Sequence, residues 1–227
     1  MPGEPEEPTS TVVLTSQTSH YVDVRIYKDL YQKELDRKDE IHSIAILEWA
    51  FAGTSSTTEG SSGLEDAKPL HSIWEHWIDS KSDNPRPDEG DMWRQKNGDV
   101  LERGTQVHPV TGLQTEYEEL WGDLQVEKVG EERDHVSIVL KVENHEAGTR
   151  GMVVRVGDWC QAILKSREAL TIERWRWTKR MNDWERLVKI GRGDLPCAIV
   201  CNSQMVREEG TIVCGDLEWT IVEKFHW

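Results

Sequence analysis

Apolar residues recur along this chain mostly at every second position, in short runs broken by turn residues. That period belongs to half-buried β-strands, and helical periodicity is weak throughout. Thr11–Leu14 and Tyr21–Ile26 read as strands, being rich in β-branched and aromatic residues. Tyr27–Glu40 is charged, with only Leu30 and Leu35 spaced along it, and fits either a short helix or a long hairpin. Ser43–Ala52 is the clearest strand of the first half. It sets Ile44, Ile46, Glu48, Ala50 and Ala52 on one face and Ala45, Leu47, Trp49 and Phe51 on the other. Gly53–Pro69, rich in Gly, Ser and Thr, predicts an exposed loop. Ser72–Asp79 returns as a strand, and 81–91, with Asn84-Pro85 and Pro87, predicts a second loop. Met92–Gln95 and Val100–Arg103 flank Asn97-Gly98, the strongest short hairpin signal in the chain. Gln106–Val110 and Gln114–Leu124 follow.

The second half has the same style. Strands are expected at Val136–Val142, Met152–Val156, Thr171–Thr178, Trp184–Ile190, Pro196–Cys201, Thr211–Val213 and Leu217–Val222, with Asp158–Ser166 a strand or one short helix. Many short strands with frequent turns predict an all-β barrel or sandwich with minor helix. Residues 1–10 form an acidic tail, 11–125 and 136–227 two domains, and 126–135 a charged linker. The halves echo one another. Trp49 and Trp159 each follow or end an apolar strand, and Ser72-Ile73-Trp74 resembles Thr171-Ile172 with Trp175. Asp91-Met92-Trp93 resembles Asn182-Asp183-Trp184, and Glu119-Leu120-Trp121 resembles Leu217-Glu218-Trp219. The order is kept while loop lengths vary, as two copies of one barrel-like unit would give.

Composition narrows the classes. With 227 residues the chain can hold two domains, and 11 tryptophans are too many for a disordered polymer. No apolar run reaches the ~18 residues of a membrane span, and the acidic, Pro-rich start does not read as a presequence. The formal charge of −15 falls almost wholly on residues 1–125, which hold 11 basic and 25 acidic side chains. That half repels polyanions, which argues against nucleic acid as the partner. Cys160, Cys197, Cys201 and Cys214 form no close pair of the zinc type, so they read as reduced, buried thiols, with Cys197 and Cys201 on one strand face. The histidines show no metal spacing, and no hydrolase, zincin or P-loop motif is present. The expectation is a non-enzymatic protein without metal or cofactor.

Leu47-Glu48-Trp49-Ala50-Phe51-Ala52-Gly53-Thr54 is more distinctive than a generic strand. With Glu119-Leu120-Trp121, Ser137–Val142, Gly151–Leu164, Thr171-Ile172-Glu173, Gly210-Thr211 and Leu217-Glu218-Trp219 it resembles a fungal family. That family is named for binding a casein-kinase-I-type kinase, the Hrr-twenty-five-interacting proteins. The likeness spans about residues 44–225. It implies two similar calycin- or lipocalin-like β-barrels in tandem, a non-enzymatic intracellular protein of cytoplasm and nucleus, and a kinase as protein partner.

Two sets of residues carry candidate chemistry. Glu48 stands in an apolar strand, and a barrel interior lined by Glu48, Trp49, Trp77 and Trp159 would suit a small molecule, although such tryptophans also serve as core packing. Ser55, Ser56, Thr57, Thr58, Ser61 and Ser62 sit among Glu59, Glu65 and Asp66, the acidic setting that casein kinases favour. Phosphate there would add charge to an already negative half. Arg174, Arg176, Lys179, Arg180, Arg186, Lys189 and Arg192 interleave with Trp175, Trp177 and Trp184. This pattern reads chiefly as a hairpin with one solvated face and cation–π pairs. The hairpin or a barrel edge also offers a surface for a second copy of the chain.

Overall fold

The alternating runs become strands in the computed structural model, which describes residues 6–35, 41–58, 69–107 and 112–227. β1 (Thr9–Thr15), β2 (His20–Tyr27), β3 (Leu47–Thr58), β4 (Leu70–Asp79), β5 (Asp88–Arg94), β6 (Val100–Val107) and β7 (Gln114–Trp121) form one sheet in sequence order. β8 (Val136–Asn144), β9 (Thr149–Val156), β10 (Trp159–Lys165), β11 (Leu170–Thr178), β12 (Asp183–Ile190), β13 (Thr211–Cys214) and β14 (Leu217–His226) form the other, ordered β12-β11-β10-β9-β8-β14-β13. Both are curled seven-stranded antiparallel half-barrels. Helix is limited to α1 (Lys28–Leu35), α2 (Cys197–Cys201) and two single 3-10 turns, among the described residues.

The sequence echo has a counterpart in this order. β1–β5 and β8–β12 are each a simple five-strand meander. Trp49 and Trp159 fall on the third strand of their meanders, Trp74 and Trp175 on the fourth, and Trp93 and Trp184 on the fifth. The paths then part. β6 and β7 extend the first meander beyond β5, whereas β14 returns to pair with β8.

Tertiary contacts divide the chain into two compact units, residues 54–76 with 86–125, and residues 7–53 with 77–85 and 126–227. In the larger unit, β1 and β2 lie against β9 and β10. Period-2 alternation then buries both faces of the second sheet. Val139, Met152, Val154, Ile163, Ile172, Val188 and Ile190 meet Leu14, Val22, Val24, Ile26, Ile46, Ala50, Ala52 and Ile78 of the first-sheet strands and their approaches. The alternate residues Ile138, Leu140, Val153, Cys160, Ala162 and Trp219 face the other way, onto Cys197, Val200 and Cys201 of α2. Gly151 makes this second cluster possible, since a Cβ there would stand 2.4 Å from the ring of Trp219.

Two polar groups lock the layers of this unit. Arg174, opposite Gln161 on the β10–β11 ladder, is almost fully buried. Its guanidinium donates to Gln161 Oε1 (2.7 Å), Val24 O (2.5 Å) and Ser10 O (3.3 Å). The Gln161 amide in turn donates to Val12 O and Val22 O at 2.9 and 3.0 Å. At the other end, Glu223 of β14 accepts from Ser16 Oγ, Gln17 N, Thr18 N, Thr18 Oγ1 and Ser137 Oγ, fastening the β1–β2 turn.

Five readings of the sequence need correction, the first being the loop expected over 81–91, whose last residues belong to β5 from Asp88 on. Pro196–Cys201 is not a strand: α2 occupies 197–201, so Cys197 and Cys201 share a helix face instead. An apolar run of five residues fits either element, and here the surface of the second sheet selects the helix. The run expected to be a strand from Ser43 opens with a 3-10 turn, Ile44–Ile46, capped by Ser43 Oγ on Ala45 N. The loop expected from Gly53 starts later, because β3 continues to Thr58 and Thr57 bonds Ser72 across the ladder. Finally, Arg174 does not belong to a solvated hairpin face; it is one of the most buried charges in the chain.

Candidate functional site

Three of the four residues with candidate ligand chemistry gather around β3 and β4. Glu48, about a quarter exposed, pairs with Lys81 at 2.6 Å. The same ammonium lies 4.6 Å from the ring of Trp49, whose indole N–H donates to Asp79 Oδ1 at 3.0 Å. Arg25 covers the other aromatic partners, 5.5 Å from Trp49 and 5.6 Å from Phe51. Asp79 is itself fixed as an acceptor, taking Lys81 N and Ser82 N. Trp77 sits two residues earlier, with Lys141 Nζ at 3.9 Å and Arg150 Cζ at 5.7 Å from its ring. Burial pulls Lys141 down from its usual range, with Arg150 adding to the effect. Trp159 stands apart, packed on the core and covered by Arg176 at 4.8 Å.

Trp77 and Asp79 lead into an open groove of about 400 Å³. Asp79, Asp83, Glu143, Arg150, Lys165 and Arg167 supply its charge. Lys165 Nζ crosses it to Asp79 O, Ser82 O and Asp83 Oδ1 at 2.7–2.9 Å, and Arg150 pairs with Glu143 at 2.9 Å. The volume lies within the range of small-molecule sites. Arg150 and Lys165 already have acidic or carbonyl partners, and three carboxylates face three cations along the lining, so the groove is balanced in charge and suited to a neutral, polar contact surface.

The smaller unit holds a carboxylate that the strand pattern alone did not single out. Glu102 is 4% exposed. Oε1 accepts from the Tyr117 hydroxyl at 2.6 Å and Oε2 from the Trp121 indole at 2.8 Å. Gly90 and Gly104 make the room, since a Cβ would come within 2.9 Å of Glu102 at the first and 2.6 Å of Tyr117 at the second. Two glycines inside neighbouring strands were the available signal, because glycine in a strand marks a close approach. Burial pushes the Glu102 carboxyl up, and the two donated bonds offset only part of that. A raised carboxyl stabilises the fold below the ordinary value of 4.5 and loses that stability as pH climbs through the folded value. Glu102→Gln keeps an acceptor for Trp121 and can donate to the Tyr117 oxygen without ionising. The variant is therefore expected to be more stable than the parent at pH 7, with the gain shrinking as pH falls toward 4. Thermal unfolding at the two pH values checks this.

Of the six candidate hydroxyl sites, Ser55, Ser56, Thr57 and Thr58 stand on β3, and Ser61 and Ser62 lie outside the described residues. Thr58 Oγ1 donates to His71 O, and Thr57 Oγ1 shares a bond with Ser72. His71 in turn faces Asp91 at 3.0 Å, and that bond raises it above the usual histidine range. All four cysteines are free. Among the described residues no cluster of metal-ligating side chains occurs, and no helix is long and apolar enough to cross a membrane.

A protein-family model described as Protein HRI1 matches residues 1–223, nearly the whole chain. The chain belongs to the HRI1 family. Protein HRI1 of Kluyveromyces lactis is 26% identical over 98% of this chain and 94% of its own length. The crystal structure of the uncharacterized protein YLR301w from Saccharomyces cerevisiae superposes with a TM-score of 0.72. It covers 98% of this chain and 94% of that one at 21% identity, which speaks to the fold. This HRI1 family member thus shares its architecture across its length, and the resemblance read from Leu47–Thr54 and Leu217–Trp219 agrees with the family match.

Proposed function

We propose that this HRI1 family member is a non-enzymatic interaction protein of cytoplasm and nucleus, a partner or substrate of a casein-kinase-I-type kinase. The observation that favours docking over carriage is the filling of the second sheet. The face that would line a ligand chamber is taken up by α2 and by the side chains of Trp219, Leu140, Val153 and Ala162. Small barrels fill themselves in this way, whereas carriers keep a chamber open. The kinase is suggested by the family resemblance, and the hydroxyls of 55–58 and 61–62 beside acidic residues supply a chemically suitable target. Incubating the purified chain with such a kinase and ATP, then mapping phosphopeptides, tests the reading. Phosphate within 55–62 supports the substrate form, and a stable complex without phosphate supports the partner form. Absence of both a complex and phosphate removes the kinase from the proposal.

A second reading rests on the Trp77 groove, whose volume would admit a small polar molecule. Native mass spectrometry of protein from its own cells separates the two. A retained small molecule lost in Trp77→Ala favours carriage, and a ligand-free chain with a copurified protein favours docking.

A further inference from the structure

We propose that Cys160 and the cysteine pair of α2 form an oxidant-responsive thiol site, in which a hydroperoxide joins Cys160 to Cys197 or Cys201 as a disulfide. Three separate features bring these sulfurs together. Cys197 and Cys201 are four residues apart on α2 and so share one face of that helix. Cys160 is on β10, its side chain belongs to the cluster that α2 covers, and α2 packs on β10. The β9–β10 ladder sets Arg155 directly opposite Cys160, and Arg155 reaches past it to the end of the helix. Its guanidinium donates to Val200 O at 3.2 Å and Cys201 O at 3.0 Å, with Glu132 at 2.7 Å and Gly157 O at 3.0 Å completing its bonds. A fully buried arginine therefore pins the carbonyl of Cys201 above the strand that carries Cys160.

The electrostatics suit the chemistry. Burial alone would hold the Cys160 proton on. Hydrogen bonds from the Cys197 and Cys201 thiols, with the Arg155 charge, outweigh it and pull Cys160 below the usual thiol range. Burial, reinforced by the same sharing, pushes Cys197 and Cys201 up. One sulfur is thus the nucleophile and the other two are held as thiols, the arrangement of a reacting and a resolving cysteine. Glu173, on the same side, opposes the thiolate, but its carboxylate is held by Lys189 at 2.7 Å.

The steps balance. The Cys160 thiolate attacks a peroxide oxygen, the O–O bond breaks, and the departing hydroxide takes up a proton as water. The sulfenic acid on Cys160 is then attacked by the sulfur of Cys197 or Cys201, whose proton leaves with the sulfenic oxygen as a second water. Two sulfurs lose two electrons to one peroxide, and the S–S bond forms. Cys201 has slight exposure, and α2 is a single turn whose first residue follows a cap without a side-chain bond. Entry therefore needs only local opening of this turn.

The test uses the full chain with Cys214→Ser. The folded protein is treated with hydrogen peroxide, quenched with catalase, unfolded, and alkylated with N-ethylmaleimide before tryptic mapping. The expected product joins peptide 156–165 to peptide 193–207, loses two hydrogens, disappears with dithiothreitol, and is absent in Cys160→Ser. Circular dichroism of each variant before oxidation confirms that it is folded. The proposal is overturned if all three thiols are alkylated after treatment that fully oxidises glutathione in the same tube. A bond inside peptide 193–207, or sulfinic acid on Cys160 without a cross-link, overturns it as well.

Discussion

Arg174→Met is expected to be the most destabilising single substitution in the chain, costing about 3–5 kcal/mol. Methionine restores apolar volume but no donor. Gln161 Oε1, Val24 O and Ser10 O would then lose their shared partner inside the unit, each at a cost of about 1–3 kcal/mol where water cannot replace it. Burial pulls the guanidinium down to about 10, so Arg174 is still a cation at neutral pH, and its charge strengthens every bond it donates. Arg174→Lys keeps the charge but loses the fork and should fall between the two. Urea unfolding followed by tryptophan fluorescence measures the midpoint. A double-mutant cycle with Gln161→Leu should show a coupling above about 1 kcal/mol, because the two side chains bond each other. Additive losses would mean that Arg174 acts only through its volume.

Glu223→Ala should rank second, at about 3–4 kcal/mol. It strands the hydroxyls of Ser16, Thr18 and Ser137 and the amides of Gln17 and Thr18, all aimed at one carboxylate. Burial acts to raise this group, but the bonds from Ser137, Thr18 and Ser16 outweigh it and hold Glu223 below the ordinary 4.5. The sign follows. A depressed carboxylate stabilises the fold above 4.5, and that stability is lost as pH falls through the folded value. The parent should therefore lose stability between about pH 5 and pH 3 more steeply than Glu223→Gln, which cannot titrate. Parallel slopes for the two proteins would assign the acid sensitivity to other carboxylates.

The strands and their faces were legible in the sequence because alternation reports burial directly. Ile138 and Leu140 against Val139, or Val153 against Met152 and Val154, separate onto two clusters as their spacing implies. What alternation cannot report is register. In the sequence Arg174 is one cation among many around Trp175 and Trp177, and only its position opposite Gln161 shows why it can be buried. Glu223 was hidden for the same reason, since its five donors come from residues 16–18 and 137. Polar strands were missed where composition resembles a loop, as at Ser55–Thr58. Pro196, at the N-cap before an apolar run, marks the entry of α2. The candidate site is half legible: Glu48, Trp49 and Trp77 stand out in the sequence, but Lys81, Asp79, Lys141 and Arg150, which hold them, have ordinary sequence surroundings.

The bond between Glu223 and the turn at Ser16 joins residues 207 positions apart. A ribosome releases Ser16 long before Glu223. The β1–β2 hairpin therefore leaves the ribosome long before its packing partners β9 and β10, and its fastening strand comes later still. Until β9 and β10 emerge, Val22, Val24 and Ile26 have no second sheet to cover them. Nascent chains of this protein should depend on holdase chaperones until β9 and β10 have emerged, and C-terminal truncations that remove β14 should be degraded rather than accumulate as a folded N-terminal half.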